Sequence, residues 1–352
     1  MTTKIKFMAN MLLVAAFAAM VCTSCSKDND PAPVEVPVDV YVAGSETNAS
    51  GNAVATLWKN GTAQSLSDGT NRAYAQSVYV AGSDVYVAGF ESNAGGYDVA
   101  TLWKNGTVQR LTDGTNYAQA NSVYVAGSDV YVAGFEYNAG GKPVATLWKN
   151  GAAQRLTDGT NYAHANSVYV AGSDVYVAGS ETNASGNWLA TLWKNGTVQS
   201  LSDGTNYAYA YSVYVAGSDV YAAGYESNAG DIPVVTLWKN GTAQRLTDGT
   251  NYAEAASVYV AGNDVYVAGS EHNAGGKWVA MLWKNGAAQR LTDGTNDANA
   301  PSVYVSGGNV YVAGRESNAS GKAIATLWKN GTVQSLTDGT NYAQALSVFV
   351  KE

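Results

Sequence analysis

The string Leu-Trp-Lys-Asn-Gly occurs with its Trp at positions 58, 103, 148, 193, 238, 283 and 328, an unbroken interval of 45 residues. Seven copies of one unit fill the chain from Val38 to Glu352. A period of this length implies an array, because a unit so short cannot bury its apolar face without neighbours. In the copy around Trp103, four runs rich in Val, Tyr, Thr, Leu and Trp read as strands: Ser77–Ala81, Asp84–Gly89, Val99–Lys104 and Thr107–Thr112. Asn105-Gly106 is a strong hairpin signal because both residues accept positive φ, and Gly82-Ser83 makes the hairpin before it. Each unit is therefore a four-stranded antiparallel meander. The expected fold class is all-β.

Four strands in this many residues is the spacing of a propeller blade, and the rival architecture is a solenoid. Solenoids need atypical polar repeats at their ends, whereas the end copies here are as regular as the middle ones. The first copy begins at Val38 without its opening strand, and Ser347–Val350 supplies that strand at the other end of the repeats. Pairing the two closes a ring of seven blades over residues 38–352. The uncharged run Ser77–Ala81 suits the crowded strand beside a channel. Thr107–Thr112, with Gln109 and Arg110, suits a half-solvated outer strand. Trp103 and its six equivalents, with Leu102, are expected between blades rather than at a ligand.

Meander parity sorts the loops. The first and third turns of every blade share one end of the ring, and Lys-Asn-Gly recurs there in all seven copies. The second loop and the link between blades share the other end, where the copies differ. One link position reads Tyr74, Gln119, His164, Tyr209, Glu254, Asn299 and Gln344, and two residues on it reads Gln76, Asn121, Asn166, Tyr211, Ala256, Pro301 and Leu346. The second loop varies at Ser45, Phe90, Phe135, Ser180, Tyr225, Ser270 and Arg315, and at Ala53, Asp98, Pro143, Trp188, Pro233, Trp278 and Ala323. Variation gathered on one end of a constant scaffold is the pattern of a recognition face.

That end also carries Glu46, Glu91, Glu136, Glu181, Glu226, Glu271 and Glu316. With the Asp113 set and four further acids, 18 carboxylates there face five bases, Arg72, Lys142, Lys277, Arg315 and Lys322. An acidic face with Tyr, Trp and Asn suits cations or polyhydroxyl ligands, since carboxylates accept hydroxyl protons and rings stack on sugar faces. It repels nucleic acid. The Asp113 set reads as turn residues that cap their own backbone. The Glu91 set, with Asn93 two residues on, either orders the second loop by accepting its N–H groups or contacts ligand. His164 and His272 lie in different copies and carry no metal-site spacing. There is no nucleophile elbow and no phosphate loop. No cofactor is expected, calcium being the one ion such a face could take. The expected ligand is a glycan or a cell-surface protein, bound without catalysis at several similar sites by a monomer. The alternatives are a glycosidase or lyase using two of these carboxylates, and a ligand-free scaffold.

The first 37 residues are of another kind. Lys4 and Lys6 precede an apolar run, Met11 to Val21, too short to span a bilayer, and Cys22-Thr23-Ser24-Cys25 follows. This resembles a bacterial lipoprotein signal (1–24), with Cys25 lipidated and 25–37 as a flexible tether. Ser-Lys-Asp-Asn-Asp after Cys25 is similar to the acidic export tags of surface lipoproteins in some Gram-negative bacteria. The whole chain thus resembles outer-membrane surface lipoproteins that carry seven-bladed repeat propellers. That resemblance implies membrane attachment through lipid alone, and it names no ligand.

Overall fold

The computed structural model describes residues 38–352. The expected signal, the Cys25 lipidation site and the tether lie outside the described residues. The repeat folds as a meander: β1 (Asp39–Thr47), β2 (Ala53–Lys59) and β3 (Thr62–Ser65) open the chain, and β4 (Ala73–Ala81), β5 (Asp84–Ser92), β6 (Asp98–Lys104) and β7 (Thr107–Arg110) form the next blade. Twenty further strands repeat this pattern over residues 118–335, and β28 (Ala343–Lys351) ends it. The result is seven separate four-stranded antiparallel sheets. Six are continuous in sequence, and the seventh has the order β28-β1-β2-β3. The register runs from Asp39 opposite Lys351 to Glu46 opposite Ala343, so the last strand completes the first blade. A seven-bladed β-propeller is thereby closed by its own ends.

Turn chemistry fixes each blade. Asn105 and Gly106 adopt φ values of 51° and 80°, and in the preceding hairpin Gly82 sits at 58°. At this constant end Asn105 Oδ1 accepts the Val85 N–H at 2.8 Å, its amide donates to Asp84 at 2.8 Å, and Lys104 pairs with Asp84 at 2.8 Å.

Neighbouring blades meet through the tryptophans. Trp103 is 1% exposed and packs with Val87 of its own blade against Tyr41, Ala55 and Leu57 of the one before. A second tie lies nearer the axis, where Ser77 Oγ accepts the Val123 N–H of the next blade at 3.2 Å. Equivalent bonds run around the ring and cross the seam, from Val78 N–H to Ser347 Oγ.

The structure extends the innermost strand beyond the expected Ser77–Ala81, back to Ala73. The link positions Tyr74 and Gln76 are therefore strand residues. What broke the sequence pattern is a β-bulge. Ala75 faces Gly89 and Ser77 faces Ala88, leaving Gln76 unopposed. An unpaired bulge residue interrupts the period-2 alternation by which strands are recognised.

Candidate functional site

The bulge recurs in every blade at the variable end, and it re-aims one side chain per blade. Gln76, Asn121, Asn166, Tyr211, Ala256, Pro301 and Leu346 all line one cavity of about 410 Å³ at the channel mouth, with Gln119, Phe135 and His164. Three residues further along each strand, Tyr79, Tyr124, Tyr169, Tyr214, Tyr259, Tyr304 and Phe349 form a closed aromatic ring with neighbouring centroids 4.8–5.0 Å apart. Beyond that ring a second cavity of about 340 Å³ faces the constant end, lined in part by Tyr259, Tyr304 and Phe349.

Around the mouth the seven positions are not equivalent. Phe135 stacks on His164 of the next blade at 4.5 Å, His164 meets Trp188 edge-on at 5.5 Å, and Trp188 lies 5.2 Å from Tyr209. Tyr209 continues to Tyr225 at 5.1 Å and Tyr211 at 6.0 Å. Burial pushes the His164 imidazole down to about 4, so it is neutral here at physiological pH. Glu254, on the following blade, is half-buried, and burial raises its carboxyl above the ordinary carboxylate value. Tyr74 pairs with Phe90 at 5.2 Å in the second blade. Asn299 and Gln344 occupy the equivalent strand positions opposite Arg315 and Ser45, so that sector is polar.

The sequence-predicted residues thus divide. Tyr74, Gln119, His164, Tyr209, Glu254, Asn299 and Gln344 lie at the variable end of the innermost strands, Gln119 and His164 among them line the cavity, and Trp188 packs against His164 and Tyr209. Trp278 instead packs edge-on against His272 at 3.9 Å, beside the Lys277–Asp297 ion pair of 3.0 Å. The seven Glu do not reach the mouth. They lie on second strands and enter the clefts between blades, where Glu91 accepts from Arg110 at 3.1 Å. Burial raises Glu136, Glu181, Glu226, Glu271 and Glu316, with Arg155, Arg245 and Arg290 opposing the shift for Glu136, Glu226 and Glu271. These outer-strand arginines sit at the variable end, so nine bases rather than five stand against its 18 acids. Its excess of negative charge is smaller than loop positions alone imply.

Loop ordering belongs to Asn93 and not to Glu91. Asn93 Oδ1 accepts the Gly95 and Tyr97 N–H groups at 2.9 and 3.1 Å, and its amide donates to Gly114 O at 2.8 Å. Asp113 accepts the Thr115 N–H at 2.9 Å, the turn role expected of it, and this bond holds its carboxyl below the ordinary value.

Sequence reasoning missed one buried network. Asp98 is 3% exposed and accepts from Arg72 at 2.9 and 3.2 Å, from Ser92 at 2.7 Å and from Gln119 at 2.9 Å. It anchors the Gln119 amide at the mouth. The available signal was opposite charge in one copy, since Arg72 is the only Arg and Asp98 the only Asp at their respective positions among the seven copies. Among the described residues no group of three or more His, Asp and Glu could hold a metal ion.

No family model matches the chain, and no curated protein does. Solved structures do. The chain is similar to an acylaminoacyl peptidase from Pyrococcus horikoshii (14% identity, TM-score 0.56) over 86% of its own length and 52% of that protein. It is similar to a puromycin-hydrolyzing peptidase from Mycobacterium tuberculosis (12% identity, TM-score 0.57) over 86% and 53%. The β-propeller domain of the Trilobed protease from Pyrococcus furiosus, described as having an open velcro topology, matches at 11% identity and TM-score 0.54 over 85% and 95% of the two chains. The chain spans about half the length of the two peptidases. At these identities the likeness is one of fold: the class is the β-propeller.

Proposed function

We propose that the protein is a non-catalytic recognition propeller whose ligand, a glycan or a surface protein, is held at the variable mouth of the channel. The observation that carries this reading is the convergence of seven bulged side chains of six different kinds on one cavity, set in a scaffold whose other end repeats the same Lys and Asn in every blade. Diversity placed by a fixed device on one concave surface is what ligand reading requires. The aromatic sector from Phe135 to Tyr225 breaks the sevenfold symmetry, which favours one principal site over seven equal ones. The peptidase neighbours supply no residue-level counterpart.

We further read the chain as lipid-anchored through Cys25 in the bacterial outer membrane. A glycan array probed with the full mature chain and with a Trp188→Ala, Tyr209→Ala double variant tests the reading. Binding that the double variant loses supports it. Binding that survives in the double variant moves the site off the mouth, and turnover of a bound glycan would replace recognition by catalysis.

A further inference from the structure

The cavity at the mouth is lined by carboxamides and aromatic rings, with Ala256, Pro301 and Leu346 closing its apolar side. Asn121 and Asn166 each donate one amide N–H to Ala165 O and Ala210 O of the next blades, at 3.0 Å, and among the described residues their carboxamide oxygens accept no hydrogen bond. No Lys or Arg lines the cavity. The aromatic shelf from Phe135 to Tyr209 adds π faces, and His164 on it is uncharged.

At the end of that shelf stands Glu254. It is half-buried, and among the described residues it makes no hydrogen bond or ion pair. Its surroundings are phenolic: Glu254 holds the strand position of His164, which stacks on Phe135 of the blade before, and the Phe135 equivalent ahead of Glu254 is Tyr225, whose ring lies 6.1 Å from Tyr211. A half-buried carboxylate without a donor is unfavourable in the free protein. A cation placed against it would relieve that cost and meet the faces of the adjoining rings.

We propose, resting on the recognition reading above, that the ligand carries a primary amine on a sugar ring, its ammonium held by Glu254 beside Tyr211 and Tyr225 while its ring faces stack on Tyr209 and Trp188. The lining, which holds no Lys or Arg, offers no cation to an anionic ligand. The stacked rings select a flat-faced cyclic ligand over a flexible chain of the same charge.

Calorimetric titration of the full mature chain with a β-1,4-linked glucosamine tetramer and with its N-acetylated counterpart tests the assignment. The expected result is at least tenfold tighter binding of the amine form. Glu254→Gln is expected to remove that preference, and Glu271→Gln, a carboxylate of the neighbouring cleft, to leave it in place. Equal binding of the two tetramers by the parent chain would overturn the inference while leaving a ligand at the mouth. Loss of the preference in both variants would overturn it in favour of a general acidic field. A lysine tetramer binding as tightly as the amine sugar would overturn the sugar assignment, and failure of both sugars to bind would overturn the inference as a whole.

Discussion

Glycine 89 shows how one residue sets the site. It lies opposite the bulge, where a Cβ would stand 1.9 Å from the Tyr74 carbonyl oxygen and 3.1 Å from the Trp103 ring. Only hydrogen fits between a displaced backbone and the inter-blade tryptophan. Gly89→Ala is therefore expected to cost more than about 2 kcal/mol, at the large end for single substitutions, read as a lowered denaturation midpoint. Glu254 works in the opposite sense. Its folded carboxyl holds a proton more tightly than the unfolded chain, whose ordinary value is 4.5. Its contribution to stability is complete below 4.5 and is lost as pH rises through the raised value. Glu254→Gln should accordingly melt higher than the parent at neutral pH and coincide with it below 4.5, as thermal scans across that range would show. The lowered Asp113 set, lost in acid, is common to both proteins and cancels in the difference. A residue that lowers stability at a cavity mouth fits a role in binding.

At the level of the element, the second loop depends on Asn93, whose three hydrogen bonds tie the Gly95–Tyr97 turn to the link at Gly114. Asn93→Ala should cost about 1–3 kcal/mol, given the usual net worth of such bonds. It should also raise hydrogen exchange over residues 93–97 and 114 while leaving the hairpin at Asn105 protected. The hairpins themselves were legible, because Asn105-Gly106 dictates a turn through its own backbone preferences. The innermost strand was legible only as far as Ser77. Residues 73–76 read as a loop because an unopposed bulge residue follows no alternation, and Pro301 at that position reads as a strand breaker. A bulge is defined by the partner strand, so a single strand's sequence cannot announce it. The choice left open for the Glu91 set had a similar cause: Glu91 and Asn93 sit in one polar motif, and only the direction of each side chain shows that Asn93 orders the turn while Glu91 meets Arg110.

For the whole molecule, the seam decides stability. Lys351 lies opposite Asp39, so the ends meet as closely as a hairpin. A circular permutant joining Glu352 to Val38 and opened in the link 66–72 should keep the same β-sheet spectrum, because every blade remains. It should unfold faster in denaturant than the parent, because no blade is then stitched from both ends of the chain; an unchanged unfolding rate would show that β28 is not the latch. The count of blades, the meander, the closure and the end on which diversity gathers were all fixed by a 45-residue period with its turn residues, since those depend on local backbone preference and on arithmetic along the chain. Tertiary structure alone decided which variable side chains share a cavity. The Glu series went to clefts and the bulged series to the channel, and the aromatic residues of blades three to five became one shelf. Those outcomes follow from side-chain direction and from contacts across blades, which a linear repeat does not encode position by position.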